Sequence, residues 1–173
     1  MPLRKAARAG QLEKIKRLVS EDKTDPNVKD YCDWTPLHCA SYWDHLEVVK
    51  WLVTEGKVDL NLQDNDGQAP LHLICSRGQL EVIKCLVSEG KADPDIRDKD
   101  GDTPLHWAIH WGRLEVVKCL VSGGKADLNI RNKKGVTPLD LAKRNDRREI
   151  VDYLESLSKS SYAKIPVKAL PGE

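Results

Sequence analysis

Histidine and cysteine are the residues of this chain best equipped for chemistry, and it has five of each. His106 and His110 stand four apart in "PLHWAIH", a spacing that puts two imidazoles on one face of a helix. A metal site needs at least a third ligand, and none has suitable spacing. His106 also shares its "TPLH" setting with His38, and His72 sits in the matching "APLH", so the three read as parts of the fold. No metal and no cofactor is expected. "SGGKAD" (Ser122 to Asp127) hints at a phosphate loop, but Ala follows the lysine where Ser or Thr is required. Its glycines end a helix, with a lysine near the helix C-terminus where the dipole favours a cation. Nucleotide binding through this motif is rejected. The cysteines are Cys32, Cys39, Cys75, Cys85 and Cys119, an odd number without a Cys-x-x-Cys pair. That favours free thiols in a reducing compartment. A nucleophilic cysteine needs a base and a lowered pKa. Cys39 and Cys75 read as core, Cys85 and Cys119 as packing residues of a second helix. Cys32, at a turn, is the one expected to be well exposed. No Ser-His-Asp order or paired-carboxylate arrangement stands out, so no catalytic residue is assigned and the chain is read as not an enzyme.

The bulk properties agree with a binding protein. The length of 173 residues suits one domain. The net charge of +1 supplies no global pull toward polyanions. No apolar run approaches a membrane span, and the N-terminus lacks the apolar stretch of a signal peptide. A cytoplasmic placement is expected, with the nucleus as the alternative.

The elements that carry these residues recur. "TPLH", "APLH", "TPLH" and "TPLD" begin at Thr35, Ala69, Thr103 and Thr137, a constant step of 34. "LEVVKWLV", "LEVIKCLV" and "LEVVKCLV" begin at Leu46, Leu80 and Leu114 with the same step. Thr-Pro opens a short helix, because Thr caps well and Pro is tolerated in the first turn. Gly10, Gly78 and Gly112 close it in a left-handed conformation. The "LEVVKCLV" pattern gives one apolar face of a second helix. "DNDG" and "DKDG" are turn chemistry leading into the next unit. A lone helix pair cannot bury its apolar face, so the units must stack.

These motifs resemble the ankyrin repeat: "TPLH-x-A", a helix pair, "G-x-A-D-x-N" and the next "D-x-x-G". The resemblance implies an all-α solenoid of helix–turn–helix units joined by β-hairpin loops, over residues 1–157. Units are placed at 1–34, 35–68, 69–102, 103–136 and 137–157, with a flexible tail at 158–173. The family's usual period is about 33, so one residue of "EGKAD" is surplus. It is expected to bulge in the loop after the second helix and leave the stack intact. Charged residues crowd the first and last units, as the outer faces of end caps require. They are read as the caps of a complete stack lacking only its first hairpin.

The resemblance also implies that partners bind hairpin tips and the helix-one surface lining a concave face. The chain has five tryptophans, four tyrosines and no phenylalanine. Tyr31, Trp34, Tyr42, Trp43 and Trp111 all fall on those positions. Exposed Trp and Tyr are typical binding anchors, and a bare patch of them usually marks an interaction site. Arg77, His110, Lys99, Asp100 and Asp102 are taken as their polar neighbours. Trp107 is expected in the core, because Cys39, Leu73 and Leu141 hold its place in other units. Trp51 is expected to pack on the convex side. The first full unit has Asp33 and Asp44 where a left-handed glycine is expected, and departures from a local rule tend to fall at functional sites. The expected function is non-catalytic: a monomeric module holding a protein or peptide in its concave groove through exposed aromatics. Two alternatives stand beside it. One is nucleic-acid or nucleotide binding by aromatic stacking, disfavoured by the acidic tips. The other is an adaptor acting through its C-terminal tail.

Overall fold

The computed structural model describes residues 2–162, with side chains to residue 157. The described residues form five helix pairs. α1 (Pro2–Arg8) precedes α2 (Leu12–Ser20), and α3 (Pro36–Tyr42) precedes α4 (Leu46–Thr54). α5 (Pro70–Arg77) precedes α6 (Leu80–Lys84), which runs on into a π turn, Cys85–Glu89. α7 (Pro104–His110) and α8 (Leu114–Ser122), then α9 (Pro138–Arg144) and α10 (Arg148–Tyr162), complete the series. First helices pack on first helices and second helices on second helices, so the layers run the length of the stack. Each unit adds the same apolar set to one continuous core: Leu37, Leu71 and Leu105 from the first helices, Leu52, Leu86 and Leu120 from the second. Burying each such leucine contributes about 1.5–3 kcal/mol.

Two expectations are corrected. α10 continues through the start of the expected tail to Tyr162, because no glycine or proline stands before Pro166 to stop it. The rest of that tail, 163–173, lies outside the described residues. The expected β-hairpins also carry no strand among the described residues. Each tip is closed by a single ladder bond, as from Asp64 N to Gln68 O at 2.9 Å and Asp98 N to Asp102 O at 2.9 Å. Successive tips are joined by one backbone bond each, such as Lys99 N to Asp66 O at 3.1 Å. That pairing is too sparse to count as a sheet.

The surplus residue of each unit is taken up at the C-terminal turn of the second helix, inside the helix where Cys85–Glu89 forms the π turn and just past the last helical residue at Thr54 and Ser122. Gly56, Gly90 and Gly124 donate to Trp51, Cys85 and Cys119, five residues back, at 2.9, 2.9 and 3.2 Å. This is π-type spacing, one residue wider than an α turn. The left-handed closing residue then falls on the lysine and not on the glycine before it: φ is +51° at Lys57, +56° at Lys91 and +56° at Lys125. The glycine is required for room instead. A Cβ on Gly124 would stand 2.7 Å from Leu120 O and 2.9 Å from Val87 Cγ1 of the preceding unit. The first unit, whose α2 has no second helix before it among the described residues, carries Asp22 at this place.

Units are bolted together by their histidines. Nδ1 of His38, His72 and His106 accepts the backbone N–H of Thr35, Ala69 and Thr103 at 3.1, 3.1 and 3.3 Å, capping its own helix. The proton therefore sits on Nε2, which donates to the carbonyls of Gln68, Asp102 and Val136 in the following tip at 3.0, 3.1 and 3.2 Å. Burial holds all three rings below the ordinary histidine pKa, with the carbonyl bonds acting weakly the other way. In the last unit Asp140 does the capping alone, accepting from Thr137 N at 3.1 Å.

Two predictions arise here. Lys125→Gly should stabilise the chain by roughly 0.5–1 kcal/mol by relieving a left-handed lysine. The adjacent Gly124→Ala should cost about 1–3 kcal/mol through overpacking. Urea unfolding of the two variants measures both signs. The second prediction concerns pH. A histidine depressed in the folded state contributes stability above its unfolded pKa of about 6.5 that is lost as pH falls through the folded value. Each ring adds a slope of about 1.4 kcal/mol per pH unit in that window. The urea midpoint should therefore fall steeply between pH 7 and pH 5, and a flat profile would contradict the neutral-imidazole bolts.

Candidate functional site

The tips are shaped by one column of side chains, Asp30, Asp64, Asp98 and Asn132, again at a step of 34. The inner oxygen, Oδ1, accepts two N–H groups of its own tip in every unit. For Asp98 these are Asp100 N and Asp102 N, both at 2.9 Å. For Asp64 they are Asp66 N and Gln68 N, also at 2.9 Å. The outer atom takes one of three kinds of partner: an arginine, a tryptophan indole N–H in two units, or a carboxylate. Asp30 Oδ2 pairs with Arg4 at 2.5 Å. Asp64 Oδ2 accepts from Trp34 Nε1 at 3.1 Å, and Asp98 Oδ2 from Trp107 Nε1 at 2.9 Å. Asn132 Nδ2 donates to Asp102 Oδ1 at 2.7 Å.

Around these outer atoms, among the described residues, two hollows open on the face formed by the tips and the first helices. The first, about 540 Å³, gathers Tyr31, Trp34, Tyr42 and Trp43 with Arg4, Lys5, Arg8 and Asp66. The second, about 470 Å³, gathers Asp100, Asp102, Trp107, His110 and Trp111 with Lys134 and Arg144. The expected site residues are thus split between two places. Arg77 lies between them, its guanidinium 4.2 Å from the Tyr42 ring centroid. Lys99 is exposed on the same tip as Asp98, Asp100 and Asp102 but does not itself line either hollow.

The aromatics are not equivalent. Tyr31, Trp43 and Trp111 are 90, 43 and 52 % exposed. Trp34 and Tyr42 are half-buried, which departs from their expected role as bare anchors. Their rings lie 5.4 Å apart, and Trp34 also stacks on His38 at 6.1 Å. These two pack the first full unit and back the exposed Trp43, whose ring meets Tyr42 edge-on at 5.4 Å. Arg8 of the first unit covers Trp43, its guanidinium carbon 5.2 Å from the ring centroid. In the second hollow His110 meets Trp111 edge-on at 5.5 Å.

Sequence reasoning missed Trp107 as part of the surface. Its ring packs on the core, but it is too large for a place held elsewhere by cysteine or leucine, so it stays partly buried and also lines the second hollow. That volume mismatch was the available signal. It also missed Asp64 and Asp98, whose spacing from the next Pro repeats as strictly as the histidines'. Asp33 and Asp44 do take the left-handed conformation, each with φ of +61°. Trp51 packs partly buried against the core.

Other expectations resolve on geometry. Both ring nitrogens of His106 are engaged within the fold, so no metal need be invoked for it. Cys39, Cys75 and Cys85 are buried, while Cys32 and Cys119 are only half-buried, so Cys32 is less exposed than its turn position suggested. Burial pushes the thiols of Cys39 and Cys75 up, and that of Cys85 to about 11, away from nucleophilic thiolate. No helix of the described residues is long and apolar enough to cross a membrane.

The difference between backing and exposed rings can be measured. Trp34→Ala should cost about 2–4 kcal/mol by opening a cavity. Trp43→Ala and Trp111→Ala should each cost less than about 1 kcal/mol, as exposed substitutions do. Urea unfolding followed by circular dichroism separates them.

A family model described as ankyrin repeats, three copies, matches residues 3–98, 54–132 and 89–165, which together span nearly all the described chain. No curated protein matches the chain. Repeats of this kind are in general non-catalytic protein–protein interaction modules. The stacked helix pairs, the recurring Thr-Pro-Leu-His caps and the family match agree: the chain belongs to the ankyrin-repeat family.

Proposed function

We propose that the chain is a protein-binding module whose concave face takes an extended segment of a partner protein at two aromatic seats, one at Trp43 and one at Trp111. The observation that carries this reading is the exposure of Tyr31, Trp43 and Trp111 beside two open hollows on one face. Neither helix packing nor tip formation uses the exposed faces of these rings, and bare aromatics on a polar protein usually mark an interface. Trp43 and Trp111 lie two units apart. With about 10 Å per packed helix layer, the seats are about 20 Å apart, the reach of about six extended residues. The seats are offered by short helices and tips held by several hydrogen bonds each, so little ordering entropy is lost on binding.

Acidic Asp66, Asp100 and Asp102 line the hollows beside basic Lys5, Arg8, Lys134 and Arg144, so no uniformly positive track is offered to a phosphate backbone. A protein partner therefore fits better than a nucleic acid.

The test is affinity capture with the full chain beside a Trp43→Ala/Trp111→Ala variant of equal helicity. Loss of truncated hot-spot aromatics costs about 2 kcal/mol or more each, so proteins held by the parent should be depleted more than about tenfold on the variant. Equal retention by both chains would remove the groove reading. Retention abolished by nuclease would replace the protein partner with a nucleic acid.

A further inference from the structure

We infer that the hollow at Trp111 is a seat for one cationic side chain, arginine or lysine, of the bound segment. The inference rests on the groove reading above and specifies the partner's chemistry at one end of it. The two hollows differ in what already covers their aromatic faces. In the first, the chain's own guanidinium groups do so: Arg8 over Trp43 and Arg77 over Tyr42. In the second, Trp111 is half exposed, and among the described residues no Lys or Arg lies over its ring. An uncovered indole face attracts a cation through its negative quadrupole.

The carboxylates beside it complete the seat. Asp98 is saturated, taking two tip N–H groups and the Trp107 indole N–H. Asp102 gives one oxygen to Asn132. Asp100 is exposed at the tip, and among the described residues no donor reaches its carboxylate. So the fold consumes one carboxylate of the hollow and leaves Asp100 and part of Asp102 facing it. An indole face with two available carboxylates suits a flat guanidinium or an ammonium, which pairs with both. Lys134 and Arg144, from the next unit, line the same hollow. They repel a second cation and favour an acidic or carbonyl-rich neighbour on that side of the bound residue.

The five tryptophans supply a built-in reporter, because each indole N–H gives its own signal in a 15N-correlated NMR spectrum. The full chain would be titrated to millimolar concentration with the blocked peptide acetyl-Gly-Ala-Arg-Ala-Gly-amide. Matched peptides carrying lysine, citrulline or glutamate at the centre would follow. The expected result is a saturable shift of the Trp111 and Trp107 indole signals with arginine and lysine. Citrulline keeps the shape of arginine without its charge and should bind at least about tenfold more weakly, the usual margin of one charge-assisted contact. Asp100→Asn, an exposed substitution that leaves the tip bonds in place, should bring the arginine peptide close to the citrulline level. Glu47→Gln, an exposed substitution on the second-helix layer that lines neither hollow, should leave the titration unchanged. Equal shifts with citrulline or glutamate, shifts centred on Trp43 and Trp34, or no shift at all would each overturn the cationic seat. Such a result, with capture by the parent still lost in the Trp43→Ala/Trp111→Ala variant, would remove the seat alone and leave the groove reading standing.

Discussion

The stack depends on one hydrogen bond made three times, from a buried imidazole Nε2–H to the carbonyl that precedes the next unit's first helix. Each of His38, His72 and His106 spends its other nitrogen on capping its own helix. The ring is therefore neutral, fixed in one tautomer and unable to rotate without losing two bonds at once. Helix caps are worth about 1 kcal/mol alone, but here the cap also sets the height of the following tip. Everything on the concave face inherits its position from that link. The surrounding apolar layers supply most of the free energy, yet they are tolerant of small slides. The imidazole bolt is not.

A division of labour follows within the aspartate column. One oxygen of Asp64 and of Asp98 is committed to the shape of the tip, and the other is free to hold whatever large side chain the unit carries. In two units that side chain is a tryptophan, Trp34 or Trp107, pinned by its indole N–H. The pinned rings are backing for the exposed ones. Trp34 and Tyr42 lie behind Trp43, and Trp107 shares its hollow with Trp111. Function-grade exposure and structural packing thus coexist in neighbouring rings of the same type.

The repeat, the stacking of its units, the left-handed Gly10, Gly78 and Gly112, and the place of the histidines in the fold were legible in the sequence, because each is a local rule copied at a fixed step. Asp33 and Asp44 were legible for the same reason, as glycine positions without glycine. What was not legible depends on three-dimensional volume. Whether Trp34 is bare or half-buried depends on Asp64, thirty residues away in the next tip. The place of the surplus residue in "EGKAD" was legible, while the wide turn that takes it up, a full π turn in one unit, was not. A helix can widen by one residue at low cost where a glycine leaves room, and the lysine after it then accepts the strained conformation. The division of the groove into two hollows was also invisible, since no period records that Arg77 folds over Tyr42.

The constant step has a consequence for what the concave face can measure. The two joints that separate the units of Trp43 and Trp111 carry the same link, His38 to Gln68 O and His72 to Asp102 O. The separation of the Trp43 and Trp111 seats can therefore change only by adding or removing a whole unit. The face is a ruler with a single graduation, about one helix layer. Discrimination among partners finer than that graduation must come from which side chains stand at each mark, not from the distance between marks.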